Sequence, residues 1–261
     1  MAITDNHRLW PGGRLPYKID FDPLEHVNAY NILMSAINRI NAEKCVNLME
    51  AGNQSKDYVS IQLGDYLSSH LGRQGGQQLL TFSDNANWGT IMHEFMHTLG
   101  FGHEHNRPDR DEYVEVYFDN IQDAAKPYFK RYGPESGISG DFAPYDYTSL
   151  MHATNQHRED INIDITKPVI ERLDGQENLG QRDHLTEGDK ARMRIVYSCG
   201  MCKDPSNESM LFRYPGNCNM YYQCAQGQAV PRQCPQNLHF SESKDRCDYA
   251  NEANCTFAGL V

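Results

Sequence analysis

The chain has 261 residues, enough for one full hydrophobic core and a smaller second unit, so two domains are expected. Aspartate and glutamate outnumber lysine and arginine by 35 to 24, and the formal charge of −11 leaves no basic stripe of the kind that binds nucleic acid or anionic lipid. No stretch approaches the roughly eighteen continuous apolar residues of a membrane span, so we expect neither nucleic acid as a partner nor a membrane span.

The first elements mix strands and helices. Residues 15–21 (LPYKIDF) alternate as a half-buried strand does, and residues 25–43 place their apolar side chains on one face of a helix. A second strand is predicted at 59–64. The glycine-rich segment 73–82 follows, and then an apolar helix is predicted around 91–99.

The next part of the chain, to about residue 185, is rich in aspartate, proline and tyrosine and is predicted to be mostly loop. Thr186 then has the position of an N-cap for a last helix that ends at Cys199. Strands and helices in this order predict an α+β domain at residues 1–199.

The eight cysteines are unevenly placed. Cys45 stands alone, Cys199 follows much later, and six lie in residues 202–255, after a linker at 200–201 and before a tail at 256–261. Six cysteines in so short a segment predict disulfides in an oxidising compartment, hence a secreted protein. The alternative, a metal cluster built from these cysteines, needs several C-x-x-C pairs, and the one pair at that spacing, Cys199 and Cys202, spans the domain junction.

The first residues, MAITDNHRLW, lack the apolar core of a signal peptide. We therefore expect the secreted chain to be a mature form from which a leader and any propeptide have been removed.

The segment HEFMHTLGFGHEH (93–105) has the pattern of a metal site. His93 and His97 are four residues apart, so on a helix they lie on one face and can reach one ion. Glu94, one position round, is expected not to bind the ion but can point at a water on it. Gly100 can take the left-handed conformation that ends the helix and returns His103 to the metal.

Three imidazoles favour zinc, and they leave one coordination position for water, which is the catalytic arrangement. Glu94 is then the candidate general base for attack of that water on a carbonyl. His105 is expected to support the following loop, with a ligand role as the alternative. Met151, in YDYTSLMHA (145–153), is the candidate for a methionine turn beneath the histidines; without the upstream motif it would be interpreted as core filler.

With these motifs in hand, residues 1–199 resemble the astacin family of secreted zinc endopeptidases. The resemblance implies a two-lobed, metzincin-type peptidase domain with a twisted sheet and an active-site helix. It also implies that Glu104 lies near the processed N-terminus and that Cys45 pairs with Cys199. The segments that carry it are RLWPGGRLPYKI, GRQGGQQLL, GTIMHEFMHTLGFGHEHNRPDRDEYV and LGQRDHLTEGDKARMRIVYSC.

The resemblance also describes the substrate cleft. The strand around Gly75 and Gly76 is expected to pair with an extended peptide. Arg182 matches a position near the S1′ pocket, which favours an acidic residue after the scissile bond; a structural salt bridge is the alternative. The second disulfide of the family falls near Leu67 and Asn85, and neither is cysteine here, so a looser lip of the cleft is expected.

Ala153 is a second departure, because the family has tyrosine there, which touches zinc at rest and stabilises the oxyanion of the transition state. Losing one oxyanion donor typically costs about 10² to 10³ in rate, so we expect a slower enzyme. The alternative is a chitin-binding protein with weakened or lost peptidase activity. Tyr147, His152 and His157 are nearby candidates to replace the tyrosine.

Residues 202–255 read C-x15-C-x5-C-x9-C-x12-C-x7-C, a spacing that is similar to peritrophin-A type (type 2) chitin-binding domains. Sequence alone would leave fifteen possible pairings of six cysteines. Asn237 stands where that family usually has glycine, which a left-handed turn residue would explain. The pairs that the resemblance implies are Cys202–Cys224, Cys218–Cys255 and Cys234–Cys247.

Chitin is an uncharged polymer whose sugar rings stack on aromatic side chains, so this module is expected to tether the protease to chitin. One or two of its aromatic residues must be core in so small a fold. The candidate chitin contacts are Tyr214, Tyr221, Tyr222, Phe240 and Tyr249. The sequence therefore predicts a secreted, chitin-tethered zinc endopeptidase acting on proteins. A metal-dependent hydrolase of chitin itself is disfavoured, because GRQGG and the methionine turn belong to peptide-cleaving sites.

Overall fold

The structure is a computed structural model, and it describes most of the chain. The predicted linker, the tail, Tyr214 and His157 lie outside the described residues. The described residues are 1–3, 5–139, 143–154, 159–197, 199, 202, 208–213, 218–225, 228–241, 243–253 and 255.

Strands and helices occur in the order that the sequence predicts. The helices are α1 (Val27–Ala42), α2 (Trp88–Thr98), α3 (Glu187–Tyr197) and α4 (Ala250–Ala253). The strands of the first domain are β1 (Ala2–Ile3), β2 (Arg14–Ile19), β3 (Asn47–Glu50), β4 (Tyr58–Leu63), β5 (Ser68–Ser69), β6 (Gln77–Phe82), β7 (Val114–Val116), β8 (Ile138–Ser139) and β9 (Ile170–Arg172). The strands of the second are β10 (Leu211–Arg213), β11 (Met220–Ala225), β12 (Gln228–Gln233), β13 (Leu238–Ser241) and β14 (Arg246–Tyr249). Short 3-10 turns lie at Asn6–Arg8, Pro11–Gly13, Glu104–Asn106, Arg110–Glu112, Phe118–Asn120, Lys126–Phe129 and Pro134–Ser136.

A five-stranded sheet forms the first lobe, in the order β3-β2-β4-β6-β5. Strands β3, β2, β4 and β6 are parallel to their neighbours, and the two-residue β5 runs antiparallel to β6 at the end of the sheet. The buried face of α1, which includes Leu33, Ile37 and Ile40, packs into the same core as the buried residues of α2. This packing places α2 beside the strand β5.

A second hydrophobic core lies in the part of the chain predicted to be loops. It contains Val114, Ile121, Phe129 and Ile170, around the short antiparallel pair β7–β9. With two cores in the first domain, the predicted α+β, two-lobed architecture is confirmed. Among the described residues, no helix has both the length and the apolar character that crossing a membrane requires.

The last helix begins as the sequence predicts. The Thr186 hydroxyl accepts a hydrogen bond from the Asp189 amide at 3.0 Å, and the Asp189 carboxylate accepts one from the Thr186 amide at 3.1 Å. This reciprocal pair satisfies two amides at the start of α3.

The second domain consists of a three-stranded antiparallel sheet, β10-β11-β12, and the hairpin β13–β14. Its three disulfides are the pairs implied by the resemblance, and the first domain has the implied bond as well. Asn237, in the turn before β13, has φ +66°, the left-handed conformation in which glycine is the usual residue. The four bonds are Cys45–Cys199, Cys202–Cys224, Cys218–Cys255 and Cys234–Cys247.

Candidate metal centre and active site

Helix α2 has a capped start and a glycine stop. The Asn87 side chain accepts a hydrogen bond from the Thr90 amide at 2.8 Å, which satisfies one free amide of the first turn. Two residues past the end of the helix, Gly100 has φ +98°, and a Cβ there would lie 2.8 Å from the Ile3 side chain. Only glycine fits this turn, and the turn brings His103 back towards the helix.

The three histidines predicted as metal ligands come together. The Nε2 atom of His103 lies 3.2 Å from that of His93 and 3.0 Å from that of His97. The opposite ring nitrogens are held by main-chain carbonyls, because His93 Nδ1 donates to Leu150 O at 2.9 Å and His97 Nδ1 donates to Phe101 O at 2.8 Å. Among the described residues, His93, His97 and His103 are the cluster whose ligand atoms lie close enough together, within 4.8 Å of one another, to hold a metal ion.

This donor set fits zinc. Burial lowers the pKa of each imidazole, to about 4 for His97, so the rings are neutral at physiological pH, as metal binding requires. In a tetrahedral site with zinc–nitrogen bonds of about 2.0–2.1 Å, the nitrogens lie about 3.3 Å apart. The observed separations of 3.0 and 3.2 Å come close to that spacing.

Glu94 is buried beside the histidines, and a serine holds its carboxylate. The Ser69 hydroxyl lies 2.7 Å from Glu94 Oε2 and 3.0 Å from the Glu94 main-chain oxygen. Burial raises the pKa of Glu94, and the hydrogen bond from Ser69 opposes that effect. The structure therefore gives the predicted base a defined orientation in a buried position.

The segment around Met151, the candidate methionine turn, is held in place by a residue of α3. Met151 is buried in the core, and its amide donates to the Ser149 hydroxyl at 3.0 Å. That hydroxyl donates to Asp189 Oδ1 at 2.5 Å, and the Leu150 amide donates to Asp189 Oδ2 at 2.9 Å. Because the Leu150 carbonyl orients His93, Asp189 connects the last helix to the metal centre.

The cleft edge differs from the sequence prediction. Gly75 and Gly76 lie in the turn before β6, with φ of +84° and +72°. The Gly76 amide donates to the Asp57 side chain at 2.7 Å, and its carbonyl accepts from the Tyr58 amide at 3.1 Å. The two glycines therefore lie in a left-handed turn and not in a strand, and the main chain of Gly76 is already paired. Substrate contact at Gly75 and Gly76 stays a prediction. The edge strands of this sheet are β3 and β5.

Arg182 lies against the methionine turn. Its Nη1 atom is within hydrogen-bond distance of Leu150 O at 2.9 Å, His152 O at 3.1 Å and Gln181 O at 2.7 Å. The guanidinium thus contacts main-chain carbonyls and stabilises this segment. The sequence had suggested either an S1′ contact or a salt bridge, and neither interpretation included this arrangement. Selection of an acidic residue by Arg182 stays a prediction.

The aromatic residues of the second domain divide into core and surface. Phe240 is buried and stacks with Tyr221 at a ring separation of 5.0 Å, and Phe212 is buried and stacks with Tyr222 at 5.3 Å. Tyr221 and Tyr222 are half-buried, whereas Tyr249 is 68% exposed. Among the described candidates, Tyr249 is therefore best placed to stack on a ligand and Phe240 is a core residue.

Two family models match this chain in tandem. Residues 2–198 match the model of the astacin peptidase family. The chain belongs to the astacin family. Residues 202–255 match the chitin binding peritrophin-A domain, so an astacin domain is followed by a chitin-binding module.

Similar proteins are astacin-family metalloproteinases. Zinc metalloproteinase nas-14 of Caenorhabditis elegans is 32% identical over 202 residues, which cover 76% of this chain and 39% of that protein. Bone morphogenetic protein 1 of Xenopus laevis is 32% identical over 82% of this chain and 30% of its own length. The chain therefore spans less than half the length of these two relatives. Among solved structures, high choriolytic enzyme 1, a hatching enzyme zinc-protease from Oryzias latipes, has a TM-score of 0.66 and 28% identity, covering 76% of this chain and 98% of that one.

Two of the three candidates to replace the astacin tyrosine, Tyr147 and His152, lie among the described residues. The Tyr147 hydroxyl donates to the Tyr113 carbonyl at 3.4 Å. His152 is fully buried, and its ring nitrogens lie 2.7 Å from the Tyr145 hydroxyl and 2.7 Å from the Ala153 carbonyl. Both side chains are engaged within the second lobe.

His105 supports the loop of the astacin domain, as predicted. Its Nδ1 accepts the Ala153 amide at 3.0 Å, and its Nε2 lies 3.2 Å from the Tyr128 carbonyl. With both nitrogens bonded, this ring links the zinc-binding loop to the chain after the methionine turn.

Glu104, next to His103, pairs with several positively charged groups, and one of them is the amino group that the astacin resemblance implies. The Met1 amino group lies 3.6 Å from Glu104 Oε2, and both groups are buried. Arg107 and Arg192 also pair with this carboxylate. Burial lowers the pKa of the amino group to about 6, while the attraction of Glu104 acts in the opposite direction.

Sequence reasoning missed Ser69 and Asp189. Asp189 had a signal, because it lies three residues after the predicted cap Thr186, where a capping-box acid is expected. Ser69 had none, since it lies 25 residues before Glu94 on a two-residue strand that the apolar pattern does not reveal.

Proposed function

We propose that this chain is a zinc endopeptidase in which Glu94 is the general base. The observation that carries the proposal is the convergence of three neutral imidazoles beside one buried, oriented carboxylate on α2. Metal-bound water and an adjacent carboxylate are what hydrolysis of a peptide bond requires. The similar hatching-enzyme zinc-protease supports the same reaction class.

Each active-site residue has a defined task. His93, His97 and His103 would hold one zinc ion, which when bound lowers the pKa of a water to about 7 and polarises the carbonyl of the peptide. Glu94 accepts the proton of the attacking water and passes it to the leaving amine as the carbon–nitrogen bond breaks. Burial raises the pKa of Glu94 above its ordinary value, and this direction favours a carboxyl group that must hold a proton before passing it on.

The substrate peptide would bind along β5. This strand is one of the two edge strands of the sheet, and one of its two residues, Ser69, contacts Glu94 directly. An extended peptide that adds to such an edge is held by main-chain hydrogen bonds, so its sequence is read by side-chain pockets. Its backbone would then pass close to the base.

Ala153 sets the expected rate. Without the tyrosine, the oxyanion loses one donor, which typically costs about 10² to 10³ in rate and leaves the rest of the machinery in place. A second candidate function is a chitin-binding protein with a weakened or inactive peptidase domain. The engagement of Tyr147 and His152 elsewhere favours this alternative, because neither is arranged to compensate.

The C-terminal module would anchor the enzyme to chitin. We assign residues 1–199 to the peptidase and 202–255 to the anchor, with the linker 200–201 and the tail 256–261. The exposed ring of Tyr249 can stack on a sugar face, and the four disulfides suit a secreted protein in a chitin-containing matrix. Anchoring raises the concentration of protease near the proteins of that matrix.

Zinc analysis and a peptide-library assay test the enzyme. We expect about one zinc per chain and cleavage that Glu94→Ala abolishes while zinc stays bound. Zinc without cleavage in the native chain, with no change in Glu94→Ala, would support the inactive alternative. Ala153→Tyr in the same assay measures the cost of the missing tyrosine, and faster cleavage is expected.

A bead assay tests the anchor separately. Chitin beads should deplete the native chain and leave a chain truncated at Gly200 in solution. Equal depletion of both chains would reject the assignment of chitin binding to the module.

A further inference from the structure

We propose that Ser69 is a positioning residue that sets the orientation of the Glu94 carboxylate for proton transfer. This inference rests on the proposed peptidase function and names a residue outside the zinc motif. The hydroxyl of Ser69 is 2.7 Å from Glu94 Oε2, within the range of a strong hydrogen bond to a carboxylate.

The Ser69 hydroxyl has one hydrogen and lies near two acceptors of Glu94. The carboxylate oxygen, at 2.7 Å, is nearer than the main-chain carbonyl, at 3.0 Å, and it carries charge, so it takes the hydrogen. The Glu94 carbonyl already has a side-chain donor, because the Thr98 hydroxyl bonds to it at 3.0 Å. Ser69 thus acts mainly on the side chain of the base.

The bond decides which oxygen does the chemistry. The last torsion of a glutamate side chain is broad and has no strong intrinsic preference. Donation to Oε2 stops that rotation and leaves Oε1, which has no protein hydrogen-bond partner among the described residues, to accept the proton of the water. Without the hydroxyl, the two oxygens would exchange and the carboxylate would spend less time in the productive orientation.

The position of Ser69 on β5 adds a link to the substrate. Ser69 pairs with Leu80 of β6 in the sheet, so its main chain is fixed by the strand while its side chain reaches α2. The strand β5, which is proposed to receive the peptide, therefore also holds the Glu94 carboxylate. Ser69 thus sets the distance between the bound peptide and the base.

Three variants of the full chain test the proposal. Ser69→Ala removes the hydroxyl, and Ser69→Thr restores one on a residue suited to a strand. Ser60→Ala is the matched control, because Ser60 lies on β4 and its hydroxyl also donates to a carboxylate, that of Asp20, at 3.3 Å. For each, kcat and KM on one library-derived peptide, the zinc dissociation constant and the melting temperature are measured.

We expect Ser69→Ala to lower kcat by about tenfold or more with KM and zinc affinity within about twofold of the native chain. Ser69→Thr should recover most of the loss, and Ser60→Ala should keep the native kcat. An active native chain with unchanged kcat in Ser69→Ala overturns the positioning role alone. A loss that spreads to KM, zinc affinity and melting temperature, without rescue by threonine, makes Ser69 merely structural. If the native chain cleaves no peptide, the proposed function fails and this inference fails with it.

Discussion

Replacing Asp189 by alanine should weaken both the fold and the zinc site. The Asp189 carboxylate is 1% exposed and accepts from the Ser149 hydroxyl and from the amides of Leu150 and Thr186. It also lies 3.7 Å from the Arg192 guanidinium. One side chain thus fixes the start of α3 and the methionine turn together.

The size of the stability loss in Asp189→Ala depends on whether each hydrogen-bond donor can find another acceptor. The Ser149 hydroxyl can rotate towards another acceptor, whereas the amides of Leu150 and Thr186 are fixed by the main chain. Each buried amide left without an acceptor costs about 1–3 kcal/mol, so we expect a loss of about 3–5 kcal/mol in the free energy of unfolding. Asp189→Asn should cost less than about 2 kcal/mol, because its amide oxygen can still accept both main-chain bonds.

Urea unfolding of the metal-free protein measures this loss, and competition with a chelator measures zinc affinity. Because the Leu150 carbonyl orients His93, we expect Asp189→Ala to bind zinc about 10 to 100 times more weakly. A free energy of unfolding within about 1 kcal/mol of the native value would refute the hydrogen-bond argument. Lower stability with native zinc affinity would refute the connection to the metal centre.

Three further outcomes are expected. Burial lowers the pKa of His152 from 6.5 to about 4, so the unfolded chain takes up this proton first as the pH falls. This residue should therefore lower the free energy of unfolding of the metal-free protein by about 3 kcal/mol between pH 7 and pH 4. Urea unfolding at both pH values should show a smaller decrease for His152→Asn than for the native chain. Equal decreases would contradict the assignment to His152. Gly89→Ala should prevent stable folding, because a Cβ there would lie 1.8 Å from the Arg182 carbonyl oxygen, whereas Gly52→Ala, where a Cβ meets nothing within 4 Å, should melt like the native chain in circular dichroism. Tyr249→Ala should lower depletion by chitin beads and leave peptide cleavage unchanged, and undiminished depletion would remove this ring from the chitin contact.

Features whose interacting residues lie close together in the sequence were predictable. The spacing of His93, His97 and His103 and the glycine between them gave the metal centre, because helix geometry and a left-handed stop follow from those residues alone. The cap at Thr186 was predictable for the same reason, since its partner lies three residues away.

Features that depend on distant segments were not predictable. Gly75 and Gly76 were assigned to a strand, but both lie in a turn, where Gly76 is bonded to Asp57 and Tyr58 on a distant part of the sequence. Ser69 and Arg182 act through groups more than twenty residues away, and no local periodicity reports such contacts. The second core around Ile121 was also missed, because its apolar residues are scattered among short turns.

The bond between Cys45 and Cys199 joins residues 154 positions apart and closes a covalent ring around the whole catalytic apparatus. All three zinc ligands, the base, the methionine turn and the whole of α3 lie inside that ring. Closing a loop of this size removes about 5 kcal/mol of chain entropy from the unfolded state. A single cut in one of its exposed loops would also leave the two fragments joined, so a nicked protease would migrate as one species until a reducing agent separated them.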